Sequence, residues 1–153
     1  MAPWAFLDHP GPLAFAHRGG AGDWPENTMP AFEHAVRLGY RYLETDVHAT
    51  VDGVLLAFHD DRLDRVTDRQ GEIAALPHAE IAAARVDGRE PIPLLADLLG
   101  SFPRARINID PKHDGSVGPL IDVLRRTDAV DRVCIGSFSD QRLRTLRDRL
   151  GPT

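Results

Sequence analysis

Short apolar runs alternate with amphipathic stretches along this chain. Leu13–His17 reads as a first strand that ends in Arg18-Gly19-Gly20. Pro25-Glu26-Asn27-Thr28 then leads into a helix over Met29–Leu38, with Asn27 or Thr28 as its cap, Pro30 in its first turn and Gly39 as its stop. Met29, Phe32 and Val36 form its apolar stripe. Tyr40–Val47 is a second strand. Val54–His59 is a third, an unbroken apolar run of the kind expected where a strand is covered on both faces. Asp52-Gly53 marks a turn between them. The gap is too short for a helical crossover, which needs about a dozen residues, so the link is either an extended crossover or a local hairpin.

Residues 61–105 are less regular. Leu76-Pro77 and Ile92-Pro93 precede short helices, the second running through Leu94–Leu99 to Gly100. Arg106–Asp110 is a fourth strand. Ser116 caps a helix that aligns Val117, Leu120, Ile121 and Leu124 on one face. Arg132–Gly136 is a fifth strand, and a last helix carries Leu143, Leu146 and Leu150 before Gly151-Pro152.

This alternation predicts an α/β layer fold with a mainly parallel sheet. Polar residues gather at the C-terminal ends of successive strands, the rim on which (β/α) barrels carry their sites. A doubly wound sheet would gather its site at a switch point instead. The glycine-rich run His17-Arg18-Gly19-Gly20-Ala21-Gly22 does not fit a dinucleotide fingerprint, and no G-x-x-x-x-G-K-[ST] occurs.

The 153 residues make one domain by length, and a hydrophobic content of 42% is ordinary for a soluble globular chain. A net charge of −5 argues against nucleic acid as a partner, since no basic excess exists to neutralise a phosphate backbone. Cys134 is the only cysteine, so no intrachain disulfide forms, which fits a reducing compartment. Met1 to Pro12 lacks a basic region followed by a long apolar stretch, and no run of about 20 apolar residues follows. The expected setting is cytoplasmic, without stable membrane insertion.

The chemistry-bearing residues cluster at strand ends. His17 and His59 close the first and third apolar runs, and Glu44 and Asp46 lie in the second. This inventory suits metal-assisted cleavage of a phosphate ester. One histidine acts as base near neutral pH and the other, protonated, assists departure of the alcohol. Glu44 and Asp46 alternate, so both point to the same side of their strand. Two adjacent carboxylates repel unless a dication lies between them or they face water. Oxygen-only ligands favour Mg²⁺ or Ca²⁺ over Zn²⁺. Arg18, between His17 and two glycines that let backbone approach a ligand, is placed for phosphate contact. Lys112 shares a face with Asp110, and the plainest reading of that spacing is an ion pair. Glu26 and Asn27 read as turn and capping groups, Asp60 as a group that orients His59 or the following loop, and Trp24 and Phe138 as a pocket wall. The remaining histidines, 9, 34, 48, 78 and 113, read as surface residues, with His48 able to approach the site from the second strand. Trp4 and Phe6 receive no role.

In order along the chain, Ala16-His17-Arg18-Gly19, Pro25-Glu26-Asn27-Thr28, Ala31-Phe32, Glu44-x-Asp46-Val47, Asp52-Gly53, His59-Asp60, Leu63-x-Arg65, Ile92-Pro93-x-Leu95, Asn108-Ile109-Asp110-Pro111-Lys112 and Ser137-Phe138 resemble the glycerophosphodiester phosphodiesterases. The resemblance covers residues 13–150. It implies a (β/α)8 barrel that hydrolyses glycerophosphodiesters to glycerol 3-phosphate and an alcohol with Mg²⁺ or Ca²⁺. Carried onto this chain, it makes His17 and His59 the acid/base pair, Glu44 and Asp46 metal ligands, and Arg18 and Lys112 phosphate-neutralising groups. Asp110 stands where the family usually has a glutamate, one methylene longer, so its metal contact is expected to be weaker or water-mediated. Eight strands need about 250 residues, and five are legible here. Residues 1–153 are therefore expected to form a single incomplete barrel domain, matching the first half to two-thirds of the family's fold. Two other outcomes stay open: a lysophospholipase D-type lipid phosphodiesterase, and an inactive truncated half-barrel. Open sheet edges invite self-association.

Overall fold

The computed structural model describes residues 4–151. Its elements run β1 (Phe15–Ala16), α1 (Met29–Arg37), β2 (Tyr42–Ala49), β3 (Leu55–Ala57), α2 (His78–Ile81), β4 (Arg85–Val86), β5 (Glu90–Pro91), α3 (Leu95–Ser101), β6 (Arg106–Pro111), α4 (Val117–Arg126), β7 (Val133–Ile135) and α5 (Asp140–Leu150). The main sheet holds the five strands that the apolar runs mark. β1, β2, β6 and β7 lie side by side, all parallel. β3 pairs antiparallel with the end of β2, His48 opposite Leu56. The link after β2 is thus a hairpin, closed by the Thr50 amide donating to Val54 O at 3.0 Å and by Gly53 at a φ of 79°. The result is an α/β partial barrel whose four parallel strands are half of eight.

Strand periodicity divides the sheet into two unlike faces. Leu43, Val47, Ile107, Ile109, Val133 and Ile135 point to the helices, where Phe32, Leu98, Leu99, Leu120, Leu124 and Leu146 complete one core. The opposite face is arranged in rows by the strand register. Phe15, Tyr42 and Arg106 are level with one another, then Glu44 with Asn108 and Cys134, then Asp46 with Asp110. The first row is sealed from below. Phe6 lies edge-on to Tyr42 at 5.4 Å, and its carbonyl accepts hydrogen bonds from Tyr42 Oη and Arg106 Nη1, both at 2.7 Å. Phe6 therefore has a structural role that its position outside the recognised motifs did not announce. The acidic rows lie toward the C-terminal end.

Several local readings are corrected. Of the expected stripe of α1, Phe32 is buried and Met29 packs against the core, but Val36 is exposed and Ala31 and Ala35 are buried in its place, because small side chains allow the loop after β1 to sit close. Thr28 stands at the N-cap of α1, but its hydroxyl donates back to Pro25 O at 2.7 Å and caps nothing. The Ser116 hydroxyl, expected to cap α4, accepts the Ala49 amide at 3.1 Å and ties that helix to the end of β2. α5 ends at Gly151; Pro152, read as part of that stop, and Met1–Pro3 of the leading segment lie outside the described residues.

Between β3 and α3, residues 58–94 fold around a second small core of Leu56, Phe58, Leu63, Ile73, Ile81, Ala84 and Val86. This excursion carries Asp60 and Arg65. Among the described residues, no helix is long and apolar enough to cross a membrane.

Candidate active site

The loop after β1 builds one wall of the site. Arg18, Gly19 and Gly20 all have left-handed backbone, with φ of 50°, 79° and 84°. A left-handed non-glycine residue costs about 1–2 kcal/mol, and the bonds around Arg18 show what holds it there. Its amide donates to Glu44 Oε2 at 2.8 Å and its carbonyl accepts the Asn27 amide at 2.9 Å. Gly19 serves the packing of this loop. A Cβ there would lie 3.0 Å from the Phe32 ring, so the glycine lets the loop pack onto α1.

The in-register pairing of β2 with β6 sets Asp46 beside Asp110. Like charges directly opposite destabilise a sheet, and Lys112 answers them, its Nζ 2.9 Å from Asp46 Oδ1 and 2.7 Å from Asp110 Oδ2. Burial works against the Lys112 charge, but its hydrogen bonds to Asp110 and Asp46 and their negative charges outweigh it and hold its pKa above the usual value. On its other oxygen, Asp46 accepts from Asn27 Nδ2 at 3.3 Å. Arg18 Nε is 3.5 Å from that same oxygen, near enough for ion pairing but without hydrogen-bond geometry. It is a buried donor with no hydrogen-bond partner among the described residues, although buried donors are rarely left unmatched.

Glu44 stands one row below Asp46. Burial pushes its carboxyl up, the Arg18 N–H opposes this, and the neighbouring Asp46 charge pushes up again; the net position is above the usual carboxylate range. His17 Nε2 is 3.8 Å from Glu44 Oε2, and the His17 ring is largely exposed. His59 belongs to a different network. Its Nδ1 is 2.6 Å from Asp60 Oδ1. The Arg65 guanidinium, followed by His59, holds the Asp60 carboxyl down to about 2, so it is ionised near neutrality. An ionised carboxylate only accepts. His59 Nδ1 therefore carries the proton, and Nε2 is the nitrogen left for proton transfer. This matches the orienting role read for Asp60.

The sequence-based site residues fall into two groups. Arg18, Glu44, Asp46, Asp110 and Lys112 form one connected cluster with His17 at its edge. His59 enters through Asp60 and Arg65. The pairing of Lys112 with Asp110 is present, extended to Asp46. Carboxylate oxygens alone suit a hard cation. The raised Glu44 and the facing aspartates are groups whose charge a dication would relieve. The donor set therefore fits Mg²⁺ or Ca²⁺ in kind. Among the described residues, no three such side chains already converge as a finished cage, and Lys112 lies between two of them.

Four residues do more than their sequence context suggested. Glu26 is a junction: Oε1 accepts from Arg18 Nη1 at 3.1 Å and from Arg65 Nη2 at 2.7 Å. Burial alone would raise its pKa, but the two arginines pull it below the usual value. Asn27, buried and left-handed at a φ of 54°, holds Asp46 through its amide and accepts from Thr45 Oγ1 at 2.8 Å. Asn27 tolerates left-handed backbone, the one local clue to this role. His48 is buried, not on the surface, and its Nε2 lies 3.0 Å from the His59 carbonyl. Burial holds the His48 pKa below the ordinary value. Arg65 spans Asp60 and Glu26. Phe138, expected in a pocket wall, is fully exposed. Trp24 lines a cavity of about 530 Å³ with Glu26, Arg65 and Asp87.

Comparison with known proteins bears on this arrangement. The model of the glycerophosphoryl diester phosphodiesterase family matches residues 17–148. A probable glycerophosphodiester phosphodiesterase 2 of Mycobacterium tuberculosis is 43% identical over 140 residues, covering 91% of this chain and 53% of that protein. Human lysophospholipase D is 38% identical over 115 residues, covering 67% of this chain and 37% of that protein. An Oleispira antarctica phosphodiesterase, solved with the product sn-glycerol-3-phosphate, superimposes with a TM-score of 0.80 at 26% identity, covering 90% of this chain and 62% of that one. The chain spans about half the length of the first of these relatives.

Proposed function

This chain belongs to the glycerophosphoryl diester phosphodiesterase family, and on that premise we propose that its acidic strand-end cluster is the reaction centre of a metal-assisted phosphodiesterase. The substrate is a glycerophosphodiester, and the products are glycerol 3-phosphate and an alcohol. Residues 1–153 supply it as a single incomplete barrel domain. The observation that carries this reading is the buried Arg18 Nε, which lies 3.5 Å from Asp46 Oδ2 but has no hydrogen-bond partner among the described residues. A phosphate oxygen is the acceptor that such a donor suits.

In this reading Arg18 and Lys112 bind the phosphate and share the charge that develops on its oxygens. A bound Mg²⁺ or Ca²⁺, held by Glu44, Asp46 and Asp110, would supply polarisation of a non-bridging oxygen. His59 moves a proton at Nε2 while Asp60 fixes its ring through Nδ1. His17, beside Glu44, is its partner in acid/base work. The nucleophile is water or the adjacent glycerol hydroxyl of the substrate. His48 holds the backbone of His59 in place.

Similarity to human lysophospholipase D favours a second substrate, a lysophospholipid. The two are separated by incubating the 153-residue chain with glycerophosphocholine and, separately, with lysophosphatidylcholine. Release of glycerol 3-phosphate at the higher kcat/KM supports the first reading. Preferential release of lysophosphatidic acid replaces it with the second.

A further inference from the structure

We propose that Arg65 is a positioning residue for the reaction: one guanidinium that orients His59 through Asp60 and Arg18 through Glu26. This inference rests on the functional reading above, since it assigns Arg65 a part in a site whose chemistry is itself proposed.

The geometry is that of a shared fork. Arg65 Nε donates to Asp60 Oδ2 at 2.6 Å and Nη2 to Asp60 Oδ1 at 2.9 Å. The same Nη2 donates to Glu26 Oε1 at 2.7 Å, and Nη1 to Glu26 Oε2 at 3.2 Å. All four carboxylate oxygens are engaged, so neither group is free to rotate. Each carboxylate has a second partner in the site. Asp60 Oδ1 takes His59 Nδ1 at 2.6 Å, and Glu26 Oε1 takes Arg18 Nη1 at 3.1 Å. Arg65 is 39 positions from Glu26 in sequence, and it joins the two branches.

A plain surface ion pair explains this poorly. The Arg65 side chain is 48% exposed, and pairs so placed add little stability. What the fork supplies is direction. It sets the two carboxylates whose remaining contacts aim a proton-transferring imidazole and a phosphate-binding guanidinium. A lysine at this position would keep the charge but, as a point donor, would not hold both carboxylates by both oxygens.

The test compares the full 153-residue chain with Arg65→Ala and Arg65→Lys. Nitrogen-15 NMR of the histidine rings is recorded alongside kcat and KM on glycerophosphocholine. The unsubstituted chain should show His59 protonated at Nδ1, with the downfield proton of a hydrogen bond to a carboxylate. Both variants should stay folded, with a melting temperature lowered by only about 2–4 °C, and lose that resonance. They should also lose kcat on the order of a hundredfold, the cost of a reacting group misplaced by about 1 Å. An unchanged His59 resonance in a folded variant overturns the proposal, as does an unchanged kcat. If the chain cleaves no glycerophosphocholine, the functional reading fails, and the ring resonance still decides whether Arg65 orients His59.

Discussion

Lys112 and Asp46 meet across neighbouring strands, Nζ 2.9 Å from Oδ1, and the same ammonium reaches Asp110 at 2.7 Å. A lysine thus serves as the internal counterion of two carboxylates that the β2–β6 register forces together. It also means that a dication at this cluster competes with the ammonium for the same oxygens. Lys112→Met should therefore destabilise the metal-free chain by about 3 kcal/mol, as expected when one partner of a largely buried ion pair is removed. It should also raise affinity for Ca²⁺ or Mg²⁺. Melting temperatures with and without the cation check this: the variant should gain more than the unsubstituted chain, and equal gains count against the competition.

Asp60 links stability to acid. Its folded pKa of about 2 lies below the unfolded value of about 3.9. A depressed carboxylate contributes fully above the unfolded value, and the contribution disappears as pH falls toward the folded one. Asp60→Asn should thus lower stability at pH 7 by about 1 kcal/mol, a figure kept small by solvent screening of a half-exposed partner. The difference between variant and parent should shrink between about pH 4 and pH 2. Urea unfolding at pH 7, 4 and 2.5 measures it, and a constant difference would refute the assignment.

Asn27 combines a left-handed backbone with two buried side-chain hydrogen bonds. Asn27→Ala loses both bonds and adds steric strain, for a combined cost of about 2–4 kcal/mol. Asn27→Gly loses the bonds but relaxes the strain, so it should be the milder change by about 1 kcal/mol. Urea denaturation of the two variants ranks them, and alanine equal to or milder than glycine would show that the strain is not real.

The five main strands and the shared face of Glu44 and Asp46 were legible because strand periodicity is local, whereas the register that sets Asp46 beside Asp110 was not. Glu44 and Asp46 share a face by spacing alone. The hairpin after β2 was not decided, since Asp52-Gly53 turns the chain without saying which strand the next run joins. Val36 was misplaced in the stripe of α1 because hydrophobicity favours the larger side chain, whereas close approach to Gly19 favours Ala31 and close approach to Gly20 favours Ala35. Glu26 and Arg65 were not seen as partners because they are 39 positions apart and Arg65 sits in a separately packed excursion. Asn27 was read as a cap because its contact with Asp46 depends on a backbone conformation that sequence only permits.

β1 and β7 are the outer strands of the parallel row. Beside β7 lies a largely apolar groove of about 1070 Å³, lined by Val133, Ile135, Leu143, Leu146 and Leu150. An open strand edge next to an apolar groove invites pairing. The chain should sediment as a dimer or larger species at micromolar concentration, and Leu143→Glu should shift it toward monomer. A monodisperse monomer by light scattering would contradict this.

The most direct test of the reaction centre is glycerol 3-phosphate release from glycerophosphocholine by the unsubstituted chain, His17→Ala and His59→Ala, with EDTA and then with restored Mg²⁺ or Ca²⁺. The account predicts turnover that EDTA stops and the cation restores, and a loss of at least about a hundredfold in each histidine variant. Release indifferent to EDTA, full activity in either variant, or no release with either cation would contradict it.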